Sequence, residues 1–389
     1  MSARKSLRRF ESVTVGISRL IVAACFIFSG FVKAVDPVGT QLKLADYIAA
    51  FGMAEIPADI SLMAACVLAG FEFLLGVYLL FGVFERGTLW MLAIAVLSFT
   101  SLTLYLALKN PVSDCGCFGD ALVLTNWQTF VKNVFILLLT LHIILLRRYI
   151  RPLIHARLEW LMPVITVLLI GNFMLTNIRD LPIFDFRPYR IGTDLRSAVY
   201  EGKDNSYADF FLMDGNMNDV TDMLLDDGGY TFLVVSPHIE NASQSNIDMI
   251  NDLFYYCCDA GYPMYGVTSS GRNEVGRWRD MTYAEYDFLH ADDILLKTMI
   301  RSDPGIVVLK DGVIEHKWSD SGIPIDSQRS CRMEQMRRKY PALSDGRVVL
   351  TLTVLYFMLP YLLLIAIDRL LEREWRSRRN SNKRTLNNN

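Results

Sequence analysis

Two cysteines stand one glycine apart at Cys115-Gly116-Cys117, in the polar run SDCGCFGD (113–120) between two long apolar stretches. Paired thiols can cycle between dithiol and disulfide. A disulfide needs Cα atoms roughly 4.4–6.8 Å apart, which residues two apart reach only where the chain turns. Gly116 permits such a turn. The small ring is strained, and strained, exposed disulfides are oxidising and labile. Cys115 and Cys117 are therefore candidate catalytic residues. The alternative is an inert local disulfide, or two thiols that pin a loop, and the spacing alone does not choose. No metal is expected, because Asp114 and Asp120 have no neighbouring histidine to complete a soft ligand set.

Lys33, Glu72 and Lys132 are ionisable residues inside or near the ends of apolar runs. An intramembrane charge is expensive and faces a partner or a cavity. Lys33 either snorkels outward or pairs with Glu72. One reading makes Lys33, Glu72 and Lys132 a proton or quinone site beneath the cysteines. The other makes them a buried polar network that pins helices. The two lysines favour a thiolate nearby, and Asp114 and Asp120 oppose it. Cys25 and Cys66 lie within apolar runs and read as small hydrophobes.

The elements that position these groups are membrane spans. The chain has 389 residues, is 52% hydrophobic and carries a net charge of −2, so no global field points to nucleic acid. Its apolar residues cluster into six runs, Val13–Val35, Ser61–Phe84, Leu89–Leu108, Phe130–Leu146, Trp160–Asn177 and Val348–Ile367. Each approaches the roughly 20 residues that a helix needs to cross the hydrocarbon core. Basic residues cluster at Arg4–Arg9, Arg147–Arg157 and Arg369–Arg384, and six spans put all three clusters on the cytoplasmic side. The 36–60 loop, the cysteine loop and the segment before the last span then face outward. The basic run Arg332–Tyr340 lies in a long outer segment, where the charge rule does not count. A cleaved signal peptide ending near Val32–Ala34 is the alternative for the first run, which is long for that role. Trp127 reads as an interfacial anchor.

The segment from about Ile178 to Gly346 is mixed in composition and reads as a layered α/β domain. Strands are expected at Tyr230–Ser236, Tyr262–Ser269 and Glu285–Ala291, and helices at Asn246–Ala260, Asp293–Ser302 and Ile325–Tyr340. Gly305–Trp318 reads as a hairpin turning at Asp311-Gly312. Cys257 and Cys258 fall late in a helix, where adjacent side chains point about 100° apart, so at least one is core. Cys331 either is buried or pairs with one of them. Tyr283, Tyr286 and Phe288 are expected in the core. His238, His290 and His316 show no metal spacing.

Residues 13–147 resemble the MauE/DoxX family of four-helix membrane proteins, its methylamine-utilisation MauE branch in particular. FSGFVKAVDP (28–37), FEFLLGVYLLFG (71–82) and DCGCFGDALVLTNWQTFVKN (114–133) carry the resemblance. It implies a membrane protein that assists disulfide formation in an envelope partner. The bundle is also similar to the quinone-linked thiol oxidases DsbB and vitamin K epoxide reductase, which implies a quinone as possible cofactor. The soluble segment resembles thioredoxin, specifically its TlpA-like branch, through ADFFLMDGNMNDVTDML (208–224) and Pro304 at the cis-proline position. Where that family has CxxC, this chain reads PHIENASQ (237–244), so ordinary dithiol exchange is impossible there.

The expected fold class is an α-helical polytopic membrane protein, a four-helix bundle plus two further spans, with an inserted α/β thioredoxin-like soluble domain. Its parts are a bundle at 1–150, a fifth span at 151–180, a periplasmic domain at 181–346, and a sixth span with a basic cytoplasmic tail at 347–389. The expected location is the inner membrane, with both termini cytoplasmic. Two functions compete. In one, the outward Cys115–Cys117 pair exchanges disulfides with a periplasmic protein client, with a quinone as electron sink if the DsbB-like logic holds. In the other, the protein is a non-catalytic scaffold in the lipid bilayer whose degenerate domain binds a protein partner.

Overall fold

The computed structural model describes residues 2–54, 56–112, 114–200, 210–226, 228–325 and 346–387. It divides into two compact units, Met1–Thr176 with Arg347–Asn389, and Asn177–Gly346.

The first unit is helical: α1 (Ser2–Val35), α2 (Pro37–Ala50), α3 (Ala58–Phe81), α4 (Glu85–Lys109), α5 (Asn126–Leu145), α6 (Leu161–Arg179) and α12 (Gly346–Asn387). All but α2 are long and apolar enough to cross a membrane. The protein is thus a multi-pass membrane protein. Small residues let α1 and α3 approach closely. A Cβ on Gly30 would lie 2.4 Å from the Phe73 backbone nitrogen, and one on Gly76 would lie 2.6 Å from that of Ile27. Val22, Ala23, Leu75, Leu79, Leu92 and Ile136 fill the core between these helices. Phe357 of α12 packs against Phe31, Phe73 and Phe173, which ties α6 and α12 to the α1–α3 pair. Arg19, inside the first apolar run, donates to the carbonyls of Leu79, Leu80 and Arg151, closing the orphaned end of α3.

One element departs from the sequence reading. The 36–60 segment, expected as a loop, contains α2. Asp36 accepts from the Gly39 amide at its N-cap and Pro37 occupies its first turn.

The second unit is an α/β sheet. It holds α7 (Leu195–Tyr200), α8 (Thr221–Asp226), β1 (Tyr230–Val235), α9 (Ile247–Ala260), β2 (Met264–Thr268), α10 (Arg272–Thr282), β3 (Asp287–His290), α11 (Asp293–Met299), β4 (Gly305–Lys310) and β5 (Val313–Ser319). The order is β3-β2-β1-β4-β5, with β1, β2 and β3 parallel and β4 and β5 antiparallel to their neighbours. Apolar clusters cover both faces, as a parallel trio requires. Asp311 and Gly312 turn the β4–β5 hairpin with φ of 51° and 78°. This order, with a cis Asp303–Pro304 bond before β4, is that of a thioredoxin-like sheet.

Cys257 is buried and Cys258 exposed on an unbroken α9. Tyr286 is buried and Phe288 partly so, but Tyr283 is 80% exposed. Tyr283 takes the left-handed C-cap of α10, which turns its ring out of the core. The segment before α7 is fastened by Asp185, which accepts from Arg187 and from the ammonium of Lys317, 2.8 Å away. The expected helix beyond Ile325, with Cys331 and Arg332–Tyr340, lies outside the described residues.

Candidate dithiol site

The site is built on the close approach of α1 and α3. With Gly30 and Gly76 in contact with the opposite helix, Lys33 lies one turn beyond Gly30 and Glu72 one turn before Gly76. Their side chains meet at 2.8 Å, 6% and 4% exposed. The Lys33 ammonium also donates to Ser29 Oγ and to the carbonyl of Cys117, each at 2.8 Å. Its three protons are thereby committed. Ser29 Oγ donates to the same carbonyl at 2.7 Å. The buried pair and the cysteine loop therefore form one connected structure.

The loop turns at Gly116, whose φ is +58°. That turn brings the two sulfurs to 2.6 Å, well inside van der Waals contact, so little movement closes the roughly 2.05 Å bond of a disulfide. Counted as whole residues, Cys115 is 8% exposed and Cys117 partly buried, but the Cys117 thiol itself is the more enclosed of the two. A second floor comes from α5, started by a capping box between Thr125 and Gln128. Lys132, in its second turn, holds its ammonium 4.0 Å above the Phe118 ring. Among the described residues Lys132 forms no ion pair.

The roof of the site is α2, in the segment expected as a loop. Lys43 and Tyr47 stand one turn apart on α2 and both reach the loop. Lys43 pairs with Asp114 at 2.8 Å, and its stem lies 3.2 Å from where a Gly116 Cβ would sit. The Tyr47 hydroxyl donates to the carbonyl of Cys115 at 2.5 Å. The signal for α2 was present in Asp36-Pro37, an N-cap residue followed by proline at the first helical position.

These contacts separate the two thiols. Cys115 ionises first, at about 7. The hydrogen bond from Cys117 lowers it most, burial opposes, and Tyr47, Lys132 and Lys33 lower it further. Cys117 is held well above its ordinary value by that same bond to Cys115 and by burial. Burial, and then the charge on Cys115, raise the Tyr47 hydroxyl, so it remains a donor at neutral pH.

The corresponding corner of the α/β unit holds no dithiol. After β1 come Ser236, Pro237 and His238. Ser236 Oγ donates to Asp303 Oδ1 at 2.5 Å, and His238 lies 3.2 Å from Asp293 and 3.8 Å from Glu240. The amide of Ser243 donates to the Asp303 carbonyl at 3.0 Å, so the loop before the cis-proline is tied to its own chain.

Residues 11–146, roughly a third of the chain, match the family model for methylamine utilisation protein MauE. No curated protein matches the chain. Among solved structures it is similar to one described as a candidate protein disulfide isomerase from Bacteroides thetaiotaomicron, at 13% identity and a TM-score of 0.26, covering 36% of this chain and 88% of that one. The strand order, not this likeness, carries the assignment of the sheet. The chain thus joins a MauE-like membrane domain to a thioredoxin-like domain.

Proposed function

We propose that this protein is a membrane thiol-disulfide oxidoreductase in which Cys115 and Cys117 accept electrons from the dithiol of a periplasmic protein client. The supporting observation is the dithiol itself. Two sulfurs sit 2.6 Å apart and are electrostatically unlike, between an ion-paired floor and a helical roof. The name of the matching family model is no ground for assigning methylamine metabolism to this chain.

The electron acceptor in this reading is a membrane quinone, which takes up two electrons and two protons when bound. A shallow apolar groove of about 300 Å³ on α1 and α3, lined by Leu20, Ala24, Ile27, Phe28, Phe31 and Leu80, suits an isoprenoid chain. Phe28 meets Phe118 edge-on at 5.2 Å, which joins the groove to the dithiol loop. Lys132, outside the groove but 4.0 Å above the Phe118 ring, is a polar residue for a quinone head in this reading. Lys33 and Glu72 are committed to each other and to the Cys117 carbonyl, so they support the loop instead.

The thioredoxin-like domain, with no cysteines at its motif position, serves as a client-docking module. The distribution of basic residues supports a periplasmic location for this domain and for the dithiol, in the inner membrane, with both termini cytoplasmic. The closed Lys33–Glu72 network also favours a second reading, in which the bundle is a non-catalytic scaffold.

The redox state of Cys115 and Cys117 in native membranes separates the two. Free thiols are trapped with a heavy maleimide before and after dithiothreitol, and again after added quinone. Ready reduction followed by quinone-dependent reoxidation supports the oxidoreductase. A pair that stays locked, or never oxidises, leaves the scaffold.

A further inference from the structure

The dithiol loop lies between two layers. On one side α1 and α5 support it: Ser29 and Lys33 donate to the Cys117 carbonyl, and Lys132 lies over the Phe118 ring. On the other, α2 lies across it. Lys43 pairs with Asp114, its stem lies 3.2 Å from where a Gly116 Cβ would sit, and Tyr47 donates to the Cys115 carbonyl. Neither sulfur stands open, since Cys115 is 8% exposed and the Cys117 thiol is the more enclosed of the two. Exchange depends on access to a sulfur in line with the S–S bond. A thiol carried on a protein brings its own backbone with it, and sulfurs enclosed in this way offer it no path.

We propose that α2 is a lid over the dithiol, latched by the Lys43–Asp114 ion pair, and that it lifts to admit a client thiol. This deepens the redox reading and rests on it, because that reading gives the lid its reason to open. Of the layers around the loop, α2 is the one free to move. The helices α1 and α5 belong to the packed bundle, where Val22, Ala23 and Ile136 are buried together. The face of α2 opposite Lys43 and Tyr47 carries Ala45, Asp46 and Ala49, all exposed, so α2 is a single covering layer. Both of its ends are breaks in the helical path. Pro37 has no amide to continue the ladder of α1. Gly52, just beyond the C-cap, takes a φ of +66° with nothing within 4 Å of where a Cβ would sit.

The latch is weak by construction. The Lys43 and Asp114 side chains are 32% and 18% exposed, and an ion pair open to water contributes little and is screened by salt. Gln41, which donates to the Ala58 carbonyl, and Phe51, stacked on Tyr105, tie α2 to α3 and α4 and not to the loop. They hold the helix while its loop-facing side lifts. Closed, the lid keeps the pair from indiscriminate exchange and reserves it for a partner that displaces Lys43 from Asp114.

The test uses the full-length protein in detergent, reduced with dithiothreitol and then freed of it. It is labelled with N-ethylmaleimide or with a bulky polyethylene-glycol maleimide. Loss of the unmodified peptide carrying Cys115 and Cys117 is followed by mass spectrometry. Both reagents react with the same thiolate, so the ratio of the bulky to the small rate reports steric access and not acidity. Cys258, exposed on α9, is the internal reference. In the parent at low salt the ratio at the dithiol should be several-fold below that at Cys258. It should rise several-fold in Lys43→Met and stay at the parent value in Lys43→Arg, which keeps the pair. It should also rise with salt in the parent, and that arm decides even where the variant fails to fold. A parent ratio equal to that of Cys258 would show that nothing covers the dithiol and overturns the lid. A ratio that neither salt nor Lys43→Met moves overturns the latch. These rates are read on reduced protein without turnover. A pair that never oxidises in native membranes sinks the redox reading, while the lid stands or falls on the ratio.

Discussion

The Lys33 ammonium lies 2.8 Å from Glu72 Oε2 and also 2.8 Å from the carbonyl of Cys117, so one buried cation joins the helix pair to the dithiol loop. Removing one member of a buried pair strands the other's charge and costs about 3–5 kcal/mol. Glu72→Gln should therefore lower thermal stability in detergent and loosen the loop, raising the maleimide reactivity of Cys117. The double variant Lys33→Met/Glu72→Met should recover much of the loss, because no unpaired charge remains. A double variant as unstable as Glu72→Gln alone would show that the pair's shape, not its charge balance, supports the helices.

Much of this site is legible in the sequence, and its limits have physical causes. Cys115, Cys117, Lys33, Glu72 and Lys132 stand out because charges and paired thiols are costly or reactive in apolar surroundings. The possible pairing of Lys33 with Glu72 follows from the same cost. What the sequence hides is which cation stays unpaired, since that depends on α1 and α3 meeting at Gly30 and Gly76. The roof is hidden for a different reason. The helix α2 is short and weakly amphipathic, so Lys43 and Tyr47 look like ordinary loop residues until α2 folds over Gly116. In the α/β unit, alternation and the Asp311-Gly312 turn locate the strands. Tyr283 misleads there because an aromatic residue at a left-handed helix cap points outward.

Lys33 and Lys132 should affect the thiols unequally. The charge of Lys33 is largely offset by Glu72, whereas Lys132 forms no ion pair among the described residues and faces the Phe118 ring. Lys132→Met should move the Cys115 alkylation midpoint above its parent value near 7. The thiolate is the reacting form, so the variant should react more slowly at pH 7 and match the parent above pH 9. An unshifted midpoint would remove Lys132 from the site's electrostatics.

The α1–α3 contact should be intolerant of any added carbon. A Cβ at Gly30 meets backbone atoms of Phe73 and Ala69 at 2.4 and 2.7 Å, so neither neighbour can rotate away. Gly30→Ala should cost about 1–3 kcal/mol through overpacking. Gly16→Ala, also on α1 and with nothing within 4 Å of the added carbon, should be neutral or slightly stabilising. Thermal melts of the two variants in one detergent compare them directly. Equal melting temperatures would show that the helices do not pack through Gly30.

In the α/β unit, Asp185 lies between Arg187 and Lys317 and is 19% exposed. Burial alone would raise its carboxyl, but the two cations outweigh burial and hold it below the ordinary 3.8. A carboxyl depressed in the folded state contributes stability above its unfolded value, and that contribution is lost as pH falls through the folded value. Lys317 behaves oppositely. Burial lowers it to about 8, so its desolvation penalty is fully present below 8 and is relieved as pH rises from 8 toward 10.5. Asp185→Asn leaves both cations without their carboxylate and should destabilise the unit by about 3 kcal/mol at pH 7. The gap to the parent should shrink as pH falls below 4, where the parent's own carboxyl begins to protonate. Hydrogen exchange of the β4 and β5 amides in the full chain, at pH 7 and pH 3, reads that gap. A gap of constant size would mean that Asp185 acts through packing and hydrogen bonds that its amide analogue also lacks, and not through its charge.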